Sequence, residues 1–374
     1  GIDAVLISGD IYDRAIPPTH VVSLFNSTLE RLTALTTVVL TSGNHDSPGR
    51  LGFGASLMKD SLHIRTDARE SGTPIPLRNK AGDVEALVYA MPYLDPDVER
   101  RNLAPHSPGQ DPIPEDYLER SHEAVLAAAL EKVAADCVSG AYADTAIARI
   151  CMAHAFVTGG DPSPSERDIH VGGVDNAPSG LFRLGAEGTD TGPLSYVALG
   201  HLHSPQKIGL AHDPLMRYSG SPIAFSFGET RAKSSVLLTI EADHVTTELI
   251  PAPVWKPIVT LTGTLQELMS PEHATHTDSF VRLIVTDPSR PTDMTATLRR
   301  AFPHALDIQH QAESISQEPR TVQIAAMNPL DVLSDFMTIS GNRPLDDAEV
   351  ALIRDVWERT RTEAQTDAAR AEAQ

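Results

Sequence analysis

The sequence predicts an α/β protein. Parallel strands are wound with helices, a second sheet layer follows, and a small α+β domain and short helices close the chain. Three observations carry this reading. Short apolar, β-branched runs bounded by glycine alternate with helical periodicity in the first half. Further strand-like runs separated by turn residues then follow. Composition changes at "PAPVWKP" (251–257), which reads as a linker. The expected divisions are residues 1–253, 254–325 and 326–374.

Val5 to Ser8 reads as a fully buried parallel strand. Pro17 and Pro18 open a helix whose Val21, Leu24, Phe25, Leu29 and Leu32 fall on one face, and Val38 to Thr41 is the next strand. A β-α-β crossover makes the two strands parallel and puts both strand ends on one edge of the sheet. Ligands of open α/β sheets bind beyond such ends. Asp10 and Asp13 follow the first strand; Asn44, His45 and Asp46 follow the second.

Glu85 to Leu94 is a further strand, and the proline-rich stretch from Asp95 to Asp116 reads as a surface loop. Ser121 to Cys137 is an alanine-rich helix. Ala146 to Ala155 is a strand ending at His154, and 158–192 is polar and weakly periodic, hence loop. The strand of "SYVALGHLHSPQ" runs into His201 and His203. "RYSGSPIAFSFGE", "SSVLLTIE" and "TTELIPAP" supply strands and turns of the second layer. After the linker, "PIVTLTG", "SFVRLIVTD" and "ALDIQHQ" read as strands, with helical stretches at 265–269 and 293–302. Near the end, Asn328 and Pro329 open one amphipathic helix carrying Leu330, Leu333, Phe336 and Met337. "DDAE" (346–349) opens another, carrying Val350, Ile353 and Trp357. Such helices either pack on the parent domain or dock on another protein.

The chain has 374 residues, enough for about two to three cores. Its two cysteines, Cys137 and Cys151, make no disulfide framework. No apolar run approaches the roughly 20 residues of a membrane span. With no signal-like start either, a cytoplasmic protein without membrane contact is expected. The net charge of −20 argues against a protein that grips nucleic acid through its own overall field. Cations for a polyanionic substrate would have to come from metals, a local patch or a partner. Arg282, Arg299 and Arg300 are candidates for such a patch, and equally read as ordinary solvated charges.

A lone histidine after a strand is ordinarily structural, and most of the 15 here, such as His20, His63, His273 and His276, fit that description. The combination of Asp10, Asn44, His154, His201 and His203 on one edge is different. Mixed carboxylate, amide and imidazole donors suit Mn²⁺ or a similar divalent ion, whereas structural zinc favours cysteine.

"GDIYD", "GNHD", the strand-terminal His154 and "GHLH" resemble successive motifs of the calcineurin-like metallophosphoesterases. "YSGSPIAFSFGE", the small second domain and the terminal helices resemble the SbcD-type nuclease subunits among them. The resemblance implies a two-layered β-sandwich flanked by helices, a DNA-capping small domain and a helical tail. It implies two divalent ions, most commonly Mn²⁺. Asp10 would bridge them, Asn44, His154 and His201 would complete the second ion, and His203 would bind the first. His45 would face the scissile phosphate and protonate the departing oxygen. Asp13 stands where relatives often carry a substrate-facing histidine, and Asp46 would fix the loop or orient His45.

The implied activity is ATP-dependent 3′→5′ exonuclease action on duplex DNA, with single-strand and hairpin endonuclease action, in repair, recombination and replication. The implied partners are DNA and an SbcC-type SMC-like ATPase, with a nuclease homodimer inside a heterotetramer. The family opens with a strand ending in Asp-x-His, and nothing of that form precedes Asp10. The chain is therefore expected to lack a piece of about 40 residues, the size of a strand, a helix and their loops, and to be nearly inactive without it. Two rival readings are a small-substrate phosphodiesterase or phosphatase of the same superfamily, and a non-catalytic scaffold for the ATPase.

Overall fold

The computed structural model describes residues 1–79, 81–105, 112–163, 165–166, 176–184, 193–241, 244–312, 332, 346, 348–354 and 356. They fall into two units, Gly1–Gln311 and Ala312–Gln374.

The first unit opens with β1 (Ala4–Ser8), α1 (Thr19–Thr33), β2 (Thr37–Thr41), the single turn α2 (Pro48–Leu51) and β3 (Leu62–Arg65). The three strands form a parallel sheet in the order β1-β2-β3. Pro18 stands at the N-cap of α1, as the two prolines led one to expect. The expectation of a fully buried first strand is corrected: all five residues of β1 are half-buried. The physical reason is position, since β1 is an edge strand and none of the residues of α1 is fully buried. β2, flanked on both sides, buries Val38, Val39 and Leu40 completely.

A larger sheet follows from β4 (Ile75–Arg78), β5 (Val84–Ala90), β6 (Ala148–His154), β7 (Tyr196–Gly200), β8 (Gln206–Ile208) and β9 (Leu215–Tyr218). Its order is β4-β5-β6-β7-β9-β8; the four inner strands are parallel and the outer two antiparallel. Alternation along each inner strand feeds two cores. Leu87, Tyr89, Cys151, Ala153, Val197 and Leu199 face one side, together with Val125, Leu126, Ala129, Leu130 and Val133 of the long helix His122–Ser139. Val88, Ala90, Ile150, Met152 and Tyr196 face the other, against Val39 and Leu6 of the first sheet. Both faces being covered explains why these strands read as continuous apolar runs. Each fully buried Val or Leu contributes on the order of 1.5–3 kcal/mol, so these two cores dominate the unit.

Two helices lie between β5 and β6: α3 (Pro96–Asn102) and α4 (His122–Ser139). The reading of 95–116 as plain loop is corrected by α3. Asp95 caps that helix by accepting from the Asp97 backbone N–H, and Pro96 occupies its first position. The Ser121 side chain caps α4 through the Ala124 N–H. Of the stretch 158–192, the described part includes one 3₁₀ segment, Ser179–Arg183, which buries Phe182 completely.

β10 (Ser234–Glu241) and β11 (His244–Pro251) form an antiparallel hairpin whose Val236, Leu238, Ile240 and Val245 pack on the inter-sheet core. The remaining strands and α-helices of the unit are β12 (Ile258–Gly263), α5 (Leu265–Leu268), β13 (Phe280–Val285), α6 (Met294–Ala301) and β14 (Ala305–His310). Both pairings of this small sheet are parallel, and its own core contains Leu261, Leu268, Val281, Leu283, Val285, Leu298 and Phe302.

In the second unit, described helical residues span 348–354. Asp346 and Glu349 exchange backbone-to-carboxylate bonds of 2.9 and 2.8 Å, the reciprocal capping box read from "DDAE". Asn328, Leu330, Leu333, Phe336, Met337 and Trp357 lie outside the described residues.

Candidate metal centre

The parallel strands β1, β2, β6 and β7 deliver their C-terminal ends to one place. Two glycines let the chain close there. A Cβ on Gly9 would lie 2.3 Å from His154 Nδ1, and one on Gly200 would lie 1.8 Å from the Ser8 carbonyl oxygen. Gly9 also has φ +85°, a region open to glycine without strain. The neighbouring Asp10 (φ 50°) and His201 (φ 103°) occupy positive φ despite their side chains. Strain of this kind is held only where surrounding structure fixes it, and it concentrates at functional sites.

Asp10, His154 and His201 offer ligand atoms that all lie within 4.8 Å of one another. Asn44 joins them: its Oδ1 is 2.9 Å from His154 Nε2 and 3.3 Å from His201 Nδ1. The donor set tests itself for a cation. His154 Nδ1 lies 2.7 Å from the Ser8 carbonyl oxygen, which can only accept, so Nδ1 carries the proton. In the neutral ring Nε2 is then a lone pair. It faces Asn44 Oδ1 and, at 3.3 Å, Asp10 Oδ2, two more acceptors. Three lone-pair atoms aimed at one another require a positive charge between them, either a proton on Nε2 or a metal ion. Asn44 Nδ2 meanwhile is buried with no hydrogen-bond partner, so the amide is oriented by its oxygen. The residues fit a divalent cation.

Electrostatics agree. Burial pushes the Asp10 carboxyl up, but the charge and hydrogen bond of His154, helped by His45, hold it well below the usual carboxylate range. Burial pushes His154 down, and the Asp10 carboxylate outweighs it and raises the imidazole. Burial, then the charge of His154, pushes His201 down to about 3, leaving a neutral ring with a lone pair to give.

Asp46 ties the two motif loops together. Its carboxylate accepts from the backbone N–H groups of Ile11 (3.0 Å), Tyr12 (2.9 Å) and Gly43 (2.8 Å). His45 donates its backbone N–H to Asp10 Oδ1 at 3.1 Å, and its ring Nδ1 lies 2.9 Å from the Asp13 carbonyl oxygen. Asp13 thus meets His45 through its backbone carbonyl, while its carboxylate, 72% exposed, lies 3.5 Å from Arg14 and 4.0 Å from the same His45 ring nitrogen.

His203 is outside the group of Asp10, His154 and His201. Its Nδ1 lies 2.9 Å from Ser165 Oγ and 3.2 Å from Glu229 Oε1, and its backbone N–H donates to Glu166 at 2.7 Å. Glu229 is buried and bonded to Lys233 and Ser165. A carboxylate on Nδ1 leaves Nε2 as the lone-pair atom, the arrangement that orients many metal-binding histidines. Sequence reading did not find this support. The glutamate closing "SGSPIAFSFGE" was its one signal; Ser165 and Glu166 sit in a stretch without periodicity.

Comparison with known families places the chain. Residues 1–205 match the calcineurin-like phosphoesterase family. Residues 254–340 match the SbcD C-terminal family, described as the type 5 capsule protein repressor C-terminal domain. The chain belongs to the calcineurin-like phosphoesterases, a family of metal-using phosphoester hydrolases. The two domains in this order are those of an SbcD-type nuclease subunit.

Proposed function

We propose that the protein is a divalent-metal-dependent DNA phosphodiesterase. In this reading it is an ATP-dependent 3′→5′ exonuclease on duplex ends and an endonuclease on single strands and hairpins. It works in a complex with an SMC-like ATPase of the SbcC type, as a nuclease homodimer within a heterotetramer. The observation that carries the reading is the convergence of Asp10, Asn44, His154 and His201 at the C-terminal ends of parallel strands from two sheets, in a chain whose two matched domains are of the nuclease-subunit type. No described helix is long and apolar enough to cross a membrane.

Asp10, Asn44, His154 and His201 would hold one ion, and Asp10 with His203 would reach a second; Mn²⁺ is the ion their mixed chemistry favours. Bound divalent ions supply charge neutralisation at a phosphodiester and a nucleophile usable at neutral pH. That also lessens the burden of a net charge of −20 on an enzyme with an anionic substrate. The chain's own residues orient and transfer protons. The Asp13 carbonyl accepts from His45 Nδ1–H, so His45 would give a proton to the departing oxygen through Nε2 as the imidazolium, with both ring nitrogens protonated. Asp46 fixes the loop that carries His45.

The test is Mn²⁺-dependent degradation of an end-labelled duplex by the complex with its ATPase. His45→Gln should cut the rate by about 10²–10⁴-fold, the usual value of a positioned acid, while Mn²⁺ binding persists. Undiminished degradation by His45→Gln would refute the assignment of the acid. Hydrolysis of small phosphate esters with no DNA cleavage by the wild-type complex would favour the small-substrate alternative.

A further inference from the structure

Beyond the metal centre, the first unit carries a line of aromatic faces and cations that nothing in the catalytic reading uses. It starts at Phe225, whose ring lies 5.5 Å from that of His203 at the metal centre. Phe225 is 57% exposed. Two residues on, Phe227 lies under the Arg282 guanidinium at 4.6 Å. Arg282 and Phe280 share the outward face of β13, where outward and buried residues alternate strictly. The Phe280 ring is 6.0 Å from that of Trp255, and the Lys256 ammonium stands over both, at 5.4 and 5.7 Å. Trp255 is 85% exposed and Val254 70%.

We propose that this line, Phe225–Phe227–Arg282–Phe280–Lys256–Trp255, is the path of an unpaired nucleic-acid strand whose end is delivered to His203. The inference rests on the nuclease reading above and adds to it a place and a strand state. An exposed tryptophan beside exposed valine is costly surface unless something covers it. Interleaved cations distinguish the line from an ordinary apolar docking patch. Bases stack on aromatic faces without regard to sequence, and positive side chains between them follow the phosphates. Lys256 has no ion-pair partner among the described residues, and Arg282 commits only Nε, to Asp307 at 3.0 Å, so its Nη groups have no hydrogen-bond partner among the described residues. In a chain of net charge −20 these free donors stand out as a local exception complementary to a polyanion. Continuity with His203 gives the occupant its direction. A duplex would present its bases edge-on inside the stack, leaving these faces unused, whereas a frayed strand exposes the base planes they match.

Fluorescence anisotropy with a labelled oligothymidylate, on the full chain in EDTA, removes the metals from the binding term. Wild type should bind, and Trp255→Ala and Phe225→Ala should each weaken binding by about tenfold, the loss of one stacked base. In a Trp357→Phe background, which leaves Trp255 as the sole tryptophan, the oligonucleotide should quench the emission. Unchanged melting temperatures establish that the variants fold, as expected for exposed side chains. Wild-type affinity in both variants would overturn the path, and so would a blunt duplex competing as well as the single strand. If Mn²⁺-dependent DNA cleavage by the ATPase complex survives such a result, the path alone fails. If the wild-type complex neither binds the strand nor cleaves DNA, the nuclease reading fails with it.

Discussion

The imidazole of His154, at the end of β6, is bonded through Nδ1 to the backbone carbonyl of Ser8, at the end of β1, over 2.7 Å. One short bond therefore fixes both the tautomer of a candidate ligand and the spacing of two strands from different sheets. His154→Ala removes that bond and one donor of the convergent set. Losing a group that merely supports a ligand typically costs about 10–100-fold in metal affinity, so this loss should exceed 100-fold. Calorimetric Mn²⁺ titration checks it.

Asp46 predicts a stability effect. Its side chain, 7% exposed as a residue, satisfies three backbone N–H groups from two loops. Asp46→Ala leaves those donors without their acceptor. Each unsatisfied buried donor costs about 1–3 kcal/mol, so urea unfolding should show a loss of about 3 kcal/mol or more. A smaller loss for Asp46→Asn, which keeps one acceptor oxygen, would fit the same cause.

A pH effect follows from Asp213. Burial pushes its carboxyl up, but the Leu210 N–H, Ser179 hydroxyl and Arg183 guanidinium, each at 2.7 Å, hold it below the usual range. A carboxyl lowered in the folded chain stabilises that chain above its unfolded value of about 3.9, and the gain disappears as pH falls through the folded value. Asp213→Asn should therefore lower the melting temperature at pH 7, with the gap to wild type narrowing below about pH 4.

In the second unit, Leu352 and Val356 are exposed, at 63% and 45%, while Val350 and Ile353 are half-buried on the helix opened by the Asp346–Glu349 box. If this apolar surface docks the ATPase, Val350→Asp should sharply reduce co-purification of the ATPase subunit at unchanged melting temperature. Undiminished co-purification would assign the surface elsewhere.

The metal centre was legible because strand ends obey a strict rule. Asp10, Asn44, His154 and His201 each follow a glycine-bounded or strand-terminal run, and parallel strands bring such ends to one edge of each sheet; that the β1–β2 and β6–β7 ends meet across two sheets was not legible. Their contacts were not legible: nothing in "GDIYD" or "GNHD" announces that Asp46 reaches back to Ile11 and Tyr12. The helix at Pro96 carried its own cap in Asp95 and was obscured by the prolines and polar residues after it. β3, β4 and β8, of four, four and three residues, are too short for a period to show. The half-burial of β1 belongs to its place at the sheet edge, which local sequence does not encode.

The central claim is that Asp10, Asn44, His154 and His201 share a cation. Anomalous X-ray diffraction at the manganese edge, on crystals of the chain grown with Mn²⁺, tests it most directly. A peak bounded by Asp10 Oδ2, Asn44 Oδ1, His154 Nε2 and a His201 ring nitrogen is predicted, stronger than any peak beside His203. Bound manganese elsewhere, with none among those four side chains, would contradict the account.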